Sequence, residues 1–520
     1  MSTPPRSQLP LLETPQTTKP PLTDGTVGKG GAPAGRPYLE WMPDQAELLP
    51  ARVREVLGEG HLACFFVDLR SVLNFDSVLK TEKSDTGRPG YNPVMMSLLL
   101  MYAYARKVHS SREIERRCET DLAFRYLAGG ARPDHDTICA FRKTHLEAFK
   151  TLFLGTVRLA QEAGLGQLGH LSIDGSKLQG NASKHKAMSY GRMDGATAKL
   201  KEEIEKLLSE AFAIDAEEKR KFGKKRGDEL PAAMHDANER ARLMSEAKRS
   251  LDLQAEKEFK LELAEEKKRR IAQIEEAKSA LEQAAREKAA EQEEQKAQEQ
   301  KAQEQNAPAK PPEQETAEKA PVPADKAQRN FTDPESRILP KRGGEFVQGY
   351  NVQIAVEAGS QLIVGQFVIQ ATNDKNQLSP MVEQVIANTG QVPAQVSADN
   401  GYFCQDDVER VEAKGIEVFV AAGRQKHGAP PPAPDAPLSA NATLTERMRH
   451  KLRTPEGRAA YAKRKVTVEP VFGHIKEARA FRRFSLRGLA NVAGEFSLVC
   501  AVHNLVKLWR LGEQALALAP

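Results

Sequence analysis

Cysteine is scarce in this 520-residue chain and never closely paired. Cys64, Cys118, Cys139, Cys404 and Cys500 are scattered, with no CxxC pair. That pattern argues against a disulfide framework and points to free thiols in a reducing cytoplasm. His109, His135 and His145 do not stand at zinc-ligand spacing from Cys118 and Cys139, so no zinc site is expected. Long apolar runs are also missing. No stretch reaches the ~18 uncharged apolar residues that cross a bilayer, so no membrane association is expected. The patch VMMSLLLMYAYA, Val94 to Ala105, has the length of a buried helix. The first residues are rich in Pro, Gly and Thr and lack a continuous apolar segment, which excludes a secretory signal. Residues 1–45 read as a disordered tail. Neither sign of charge dominates, with 76 Lys and Arg against 71 Asp and Glu. Clustering of charge therefore says more about partners than the net +5 does.

What is present falls into blocks, and the length allows two or three domains. Residues 46–168 are helical throughout. NPVMMSLLLMYAYARKV predicts a buried helix starting at the proline after Asn92. HSSREIERRCETD predicts the next, with Ser110 and Glu113 spaced as a capping box. A short third helix ends at Gly129-Gly130. PDHDTICAFRKTHLEAFKTLFLGTVRLAQEAG predicts one long amphipathic helix, capped near Asp136 or Thr137 and closed by Gly164. Arg112, Arg116, Arg117, Arg125, Arg142 and Lys143 give this block a basic face. Such a face is either a solvated helical surface or the DNA-contacting side of a helix-turn-helix-like bundle.

A strand follows in LGHLSIDGSKL, and then the composition changes. Residues 195–305 are rich in Ala, Glu, Lys and Gln and nearly free of Gly and Pro. Ile204, Leu207 and Ala211, and later Ile271, Ile274, Ala277 and Leu281, keep a spacing of three to four. This predicts long charged helices, a hairpin with partial coiled-coil character. Residues 306–331 read as a Pro-rich disordered linker. Strand character then resumes in EFVQGYNVQIAVEAGSQLIVGQFVIQA, a hairpin turning at Ala358-Gly359. A helix, a strand (AQVSADNGY), a helix, a strand (IEVFVAA) and C-terminal helices complete the order. The pattern predicts an α/β domain of residues 169–194 and 332–510, interrupted after its first strand by the charged insertion.

Two aspartates stand out in that domain. Asp174 and Asp399 each end a short apolar strand before a Gly-containing turn (IDGS and ADNGY). Strand ends of an α/β sheet are where functional groups converge. Converging carboxylates repel unless a divalent cation such as Mg²⁺ neutralises them. An isolated Asp at a strand end is equally a turn or cap residue. Glu469 adds a third acid, set in a stretch from Arg447 to Arg487 with thirteen Lys or Arg and three acidic residues. Lys476 lies seven residues on, on the same face if the helix is continuous. Pro470, directly after Glu469, either starts or kinks that helix. Asp374 in NDKNQLSP reads as a helix cap, and Asp194, Asp333 and Asp406 have similarly ordinary readings. GRQKHG, Gly423 to Gly428, is either a phosphate-touching loop or a solvated exit from the last strand.

Taken together, these stretches resemble a DDE transposase of a bacterial insertion sequence. The resemblance spans roughly Leu48 to Leu508, apart from the charged insertion. FFVDLRSVLNF, GYNPVMMSLLLMYAYARKVHSSREIERRC and PDHDTICAFRKTH resemble the helical N-terminal domain of that family. LSIDGSKLQGNASKHK resembles the first-Asp motif, and GYNVQIAV, NDKNQLSPM and SADNGYF resemble the central strands and second-Asp motif. AAGRQKHG and the stretch from Gly457 to Leu508 resemble the C-terminal block.

The resemblance implies an RNase H-like core with a mixed five-stranded sheet, behind an all-helical DNA-binding domain. It implies Asp174, Asp399 and Glu469 as catalytic, metal-holding residues. Two Mg²⁺ ions, with Mn²⁺ as a possible substitute, would serve cleavage and joining of the element's ends. The family signature runs Tyr, two residues, Arg, three residues, Glu, six residues, Lys. Tyr461 with Arg464, and Glu469 with Lys476, keep the outer spacings. Four residues separate Arg464 from Glu469, so either Lys465 takes the Arg place or the turn is one residue longer. Arg464, Lys465, Lys476, Arg482, Arg483 and Tyr461 are the candidate DNA-phosphate contacts. The implied partners are double-stranded DNA, as terminal repeats and target, and a second copy of the chain on paired ends. The implied setting is the bacterial cytoplasm, at the nucleoid. A related metal-dependent nuclease that cuts without joining, or a relative that has lost mobility, fits the same residues. So does a DNA-binding scaffold with inactive acids.

Overall fold

The structure is a computed structural model and describes residues 52–79, 90–222, 237–304, 322–341, 344–423 and 441–517. The tail at 1–45, most of the linker at 306–331 and the loop after Gly423 lie outside the described residues.

Eight helices open the described chain: α1 (Val53–Leu57), α2 (Leu62–Asp68), α3 (Asp76–Leu79), α4 (Pro93–Ala105), α5 (Ser111–Thr120), α6 (Leu122–Leu127), α7 (His135–Thr144) and α8 (Leu146–Glu162). α4 starts as its sequence predicts. The Asn92 side chain accepts the Val94 and Met95 N–H groups, and Pro93 takes the first position, where no N–H is needed. Met96 to Tyr104 are all buried, as befits a helix that is apolar all round.

Two local expectations fail. Ser110 does precede α5, but its side chain makes no capping bond. Glu113 turns instead to Arg116 and Arg117, with Arg117 Nε donating at 3.0 Å. The single long helix is two, α7 and α8, broken at His145. The His145 ring stacks on Phe141 at 3.9 Å, and its Nδ1 lies 2.9 Å from the Phe141 carbonyl. The cap of α7 is Asp134, which accepts the Thr137 N–H at 2.8 Å. The basic face also loses a member. Arg142 is buried against Tyr104 and donates to the His109 carbonyl at 2.9 Å.

The sheet comes next: β1 (His170–Gln179), then β2 (Ala187–Ser189), helices α9 (Tyr190–Phe222) and α10 (Ala237–Glu304), and β3 (Gln328–Asn330). Beyond them lie β4 (Arg337–Pro340), β5 (Phe346–Glu357), β6 (Ile363–Ile369), α11 (Leu378–Thr389), β7 (Gln395–Ala398), α12 (Gln405–Glu412) and β8 (Glu417–Val420). The last helices are α13 (Leu444–Lys451), α14 (Pro455–Gly473) and α15 (Leu489–Ala517). β5 pairs antiparallel with both β6 and β1, while β1, β7 and β8 run parallel, giving the order β6-β5-β1-β7-β8. The sheet has six strands, not five. Gly349 pairs with Gln179 of β1 on one side and Arg337 of β4 on the other, so β4 extends the edge that β6 occupies.

β2 and β3 pair antiparallel and clasp the base of the two long helices, where the Tyr190 N–H donates to the Ala327 carbonyl at 2.8 Å. α9 and α10 then run antiparallel: Asp194 meets Lys278, Glu203 meets Lys267 and Glu210 meets Lys260. The helical stretch starts at Tyr190, ahead of residue 195. Residues 322–331 are ordered where a disordered linker was expected. Asn330 fixes them: it is buried, its side chain donates to the Ser183 carbonyl at 2.7 Å, and it accepts the Thr332 N–H at 2.9 Å.

α15 ties the parts together by packing on α4, α8 and β6. Among the described residues, Leu489–Gly512 is the one helix long and apolar enough to cross a bilayer, yet most of it is buried within the protein, as a core helix is. Its polar residues are matched. Asn504 accepts the Ile363 N–H and donates to the Ile363 carbonyl and Thr156 Oγ1. Glu495, fully buried, accepts from Tyr104 Oη at 2.8 Å and from the N–H groups of Ser485 and Leu486 at 2.9 and 3.0 Å.

Glu495→Ala would strand three donors, two of them buried and the Ser485 N–H half-buried, at about 1–3 kcal/mol each. It should cost at least ~3 kcal/mol in urea unfolding, whereas Tyr104→Phe, which removes one donor cleanly, should cost about 1 kcal/mol. Equal losses for the two variants would contradict this account of the junction.

Candidate active site

The register of β1 against β7 places the first two acids. Ile173 lies opposite Ala398 as the last pair of that parallel ladder. The next residues are Asp174 and Asp399, which therefore come side by side where β7 ends and an α/β sheet opens a crevice. Asp399 does end its strand, but Asp174 does not, because β5 goes on pairing with β1 past it, from Asp174–Ile354 to Gln179–Gly349. β1 continues past the end of β7. At Gln179 it meets the segment Arg482–Phe484, where the Gln179 N–H donates to the Arg482 carbonyl at 3.2 Å and the Phe484 N–H to the Gln179 carbonyl at 2.9 Å. The intervening edge of β1 faces the site.

Asp174 is 19% exposed, and Oδ1 accepts the Gly175 N–H at 2.9 Å. Burial, then the charge of Asp399, pushes its carboxyl up to about 7, against the opposing pull of Arg464. Asp399 Oδ1 accepts the Gly401 N–H at 2.8 Å and starts the short turn Asn400–Tyr402.

Glu469 comes from α14. Its side chain is 53% exposed, and Oε1 lies 3.7 Å from an Arg464 nitrogen whose sister nitrogen is 3.6 Å from Asp174 Oδ2. Arg464 is thus the shared cation of two acids, 12% exposed and stacked over Tyr461 at 5.7 Å. Its Nε is buried without a hydrogen-bond partner. Lys465 points into solvent, so Arg464 is the residue that reaches the carboxylates.

Pro470 neither starts nor ends α14, which continues to Gly473. A proline inside a helix frees the carbonyl four residues back, here that of Val466. Gln361, from the turn between β5 and β6, donates to that carbonyl at 2.9 Å. The chain then widens into a π-helical turn, His474–Ala478. Lys476 in that turn bonds Ser176, two residues beyond Asp174 on β1. Burial and the nearby Lys341 hold its ammonium below the usual lysine range. Arg482 is drawn to Glu477, and Arg483 Nη2 donates to Asn181 Oδ1 at 2.7 Å.

Asp374 belongs with these residues, although its sequence reads as a cap. The residue before α11 is Gln377, and the Asp374 carboxylate turns inward. Its Oδ1 accepts from Asn351 Nδ2 at 2.7 Å and from Gln353 Nε2 at 2.6 Å, and Tyr402 Oη bonds the other end of the Gln353 amide. A Cβ at Gly401 would lie 3.0 Å from Asp399 Oδ1 and 3.3 Å from Asp374 Oδ2, so the two carboxylates flank that glycine. A Cβ at Gly175 would lie 2.7 Å from Asp374 Oδ1, which explains the glycine in IDGS. A signal was present in GYNVQIAV: Asn351 and Gln353 alternate on one face of a buried strand and need partners there.

Among the described residues, no three acidic, His or Cys side chains stand close enough together to hold an ion. The chemistry of the donors nevertheless fits a hard divalent cation. Asp174, Asp374, Asp399 and Glu469 offer only carboxylate oxygens, and burial together with the neighbouring Asp399 charge drives Asp174 toward protonation despite Arg464.

A family model described as a transposase domain (DUF772) matches residues 53–144, and one described as a transposase DDE domain matches residues 437–509. No curated protein and no solved structure matches the chain. The second domain carries Glu469 and Lys476 and implies an RNase H-like fold, with which the mixed sheet and its flanking helices agree. The first covers the helices α1 to α7. Both matches are to transposase domains, and together they support a DDE transposase of an insertion element.

Proposed function

We propose that this transposase cleaves and joins the ends of its insertion element by phosphoryl transfer at Asp174, Asp399 and Glu469. The observation that carries the proposal is the shared rung of Asp174 and Asp399, with Glu469 reaching the same guanidinium as Asp174. The three residues would hold two Mg²⁺ ions, or Mn²⁺ in their place. Bound there, the metals supply Lewis-acid stabilisation of the attacking and leaving oxygens of an in-line displacement. Asp374, fixed by two amides, adds a fourth carboxylate whose orientation is set before DNA arrives.

The remaining residues position DNA. Lys476, beside Ser176, presents its ammonium along β1 toward a phosphate next to Asp174. Arg464, held over Tyr461, keeps Asp174 and Glu469 from repelling each other. Lys465, Arg482 and Arg483 add positive charge at the rim. Water is the nucleophile in cleavage, and the freed 3′-hydroxyl is the nucleophile in joining. Exposed Arg112, Arg125 and Lys143 support DNA contact by the N-terminal helices, and a homodimer would bring two element ends together. The five free thiols suit a reducing, nucleoid-associated setting.

Two outcomes are expected with Mg²⁺ and a plasmid carrying both element ends. Asp174→Asn, Asp399→Asn and Glu469→Gln should each abolish strand cleavage and strand transfer while gel-shift binding of the ends persists. Cleavage near the wild-type rate in any of the three would remove that residue from the site, and cleavage without transfer by the wild type would favour a nuclease. Asp374→Asn should slow cleavage by about 10–100-fold and raise the Mg²⁺ needed for half-maximal rate. An unchanged metal requirement would leave Asp374 a purely structural partner of Asn351 and Gln353.

A further inference from the structure

A second feature lies further along β1. Past Ser176 the strand ends at Gln179, in the wall of an open groove of about 640 Å³. Lys184, Lys186, Lys341, Arg483 and Arg487 line it, and among the described residues no acidic one does. Asn181 fixes two of these cations: its Oδ1 accepts from Arg483 at 2.7 Å and its carbonyl from Arg487 at 2.9 Å. Both guanidinium groups are therefore oriented before any ligand binds. Phe346, the first residue of β5, also lines the groove and stands 61% exposed. The ring stands mostly in water beside these cations, outside the packed apolar clusters of the fold.

Cations that follow a backbone, combined with an exposed aromatic face, fit an unpaired polynucleotide strand. Phosphates lie along the charges, and a base stacks on the ring. A duplex keeps its bases stacked inside and offers Phe346 nothing. The groove also continues the candidate active site. Gln179 is five residues from Asp174, about 16 Å along the strand.

We propose that this groove binds single-stranded DNA leading away from the scissile phosphate, with one nucleobase stacked on Phe346 and the backbone held by Lys184, Lys341, Arg483 and Arg487. The proposal rests on the cleavage reading for its position, but binding can be measured without cleavage. The shared use of β1 makes the unpairing of the DNA end and its placement at Asp174 parts of one event.

The test uses the full-length protein in EDTA, with fluorescence anisotropy of a 15-nucleotide oligodeoxythymidine and of a 15-base-pair duplex. Phe346→Ala should weaken the single strand by about tenfold or more and the duplex by less than about twofold, the change expected when no stacked base is lost. Phe346→Trp should retain or improve single-strand binding, and Lys341→Ala should weaken both ligands and flatten their salt dependence. As a second measurement, a single strand bearing 5-iododeoxyuridine should crosslink on irradiation to the peptide containing Phe346. Unchanged single-strand affinity in Phe346→Ala, or equal losses for single strand and duplex, would overturn the proposal. So would equal, Phe346-dependent binding of single-stranded RNA, which would remove the assignment to DNA. Cleavage by Asp174→Asn, in contrast, would sink the cleavage reading and leave these binding results standing.

Discussion

Two carboxylates on the same rung of adjacent parallel strands are the constraint around which this molecule is arranged. Neighbouring strands lie ~4.8 Å apart, and at an effective dielectric of about 20 two charges at that separation repel by about 3 kcal/mol. Burial is the larger cost and the charge of Asp399 adds to it, so the Asp174 carboxyl rises from 3.8 to about 7. A sheet does not place acids this way for stability. The surrounding elements supply what compensation there is. Arg464 is nearly buried between Asp174 and Glu469, supported from below by the Tyr461 ring. Asn351, Gln353 and Tyr402 form a neutral relay that holds Asp374 without adding charge. The site is thus built negative and left short of positive charge, the condition in which divalent cations bind carboxylates best.

The same register dictates where the chain can be interrupted. β1 must lie between β5 and β7, and the edge that β7 leaves uncovered after Ile173 must remain open beside Asp174. The long helices α9 and α10 depart only after β1 has finished, and β2 and β3 clamp their base. The antiparallel ion pairs and the seam of Ile204, Ala264 and Ile271 are internal to that pair, and a second seam at Met193, Ile274 and Ala277 packs it on Met188 and Phe331 at the clamp. β1 and β5 can then pair as though they were consecutive strands.

Much of this was legible in the sequence because it rests on local chemistry. The apolar strand ending at Asp-Asn-Gly, the Ala-Glu-Lys-Gln block and the hairpin at Ala358-Gly359 declare themselves through composition and turn residues, whereas Asp174-Gly175, read as a strand end, lies inside β1 because β5 pairs on past it. What was not legible depends on partners distant in sequence. His145 breaks a helix by folding its ring back onto Phe141, and amphipathic spacing does not register such a contact. Arg142 appeared to be surface charge, but packing on Tyr104 and His109 buries it. Asn330 orders a stretch that its Pro-rich neighbours made look disordered. Asp374 reads as a cap in the sequence because its two amide donors come from β5, more than twenty residues upstream.

The spacing from Glu469 to Lys476 shows how one local departure serves the site. Seven residues in a regular helix turn through nearly two full turns and would set the lysine above the glutamate on one face. The actual path is different. Pro470 removes one backbone bond, Gln361 satisfies the carbonyl left over, and the helix widens to a π turn within a few residues. A wider turn advances the side chain less far around the axis per residue. Lys476 is thereby swung from the face of Glu469 toward β1, where it bonds Ser176. The ammonium is then held at Ser176 of β1 and the carboxylate beside Arg464, instead of pairing with each other. An ion pair between them would have neutralised both. Held apart, one remains free for a cation and the other for a phosphate, and the irregular helix is what keeps them apart.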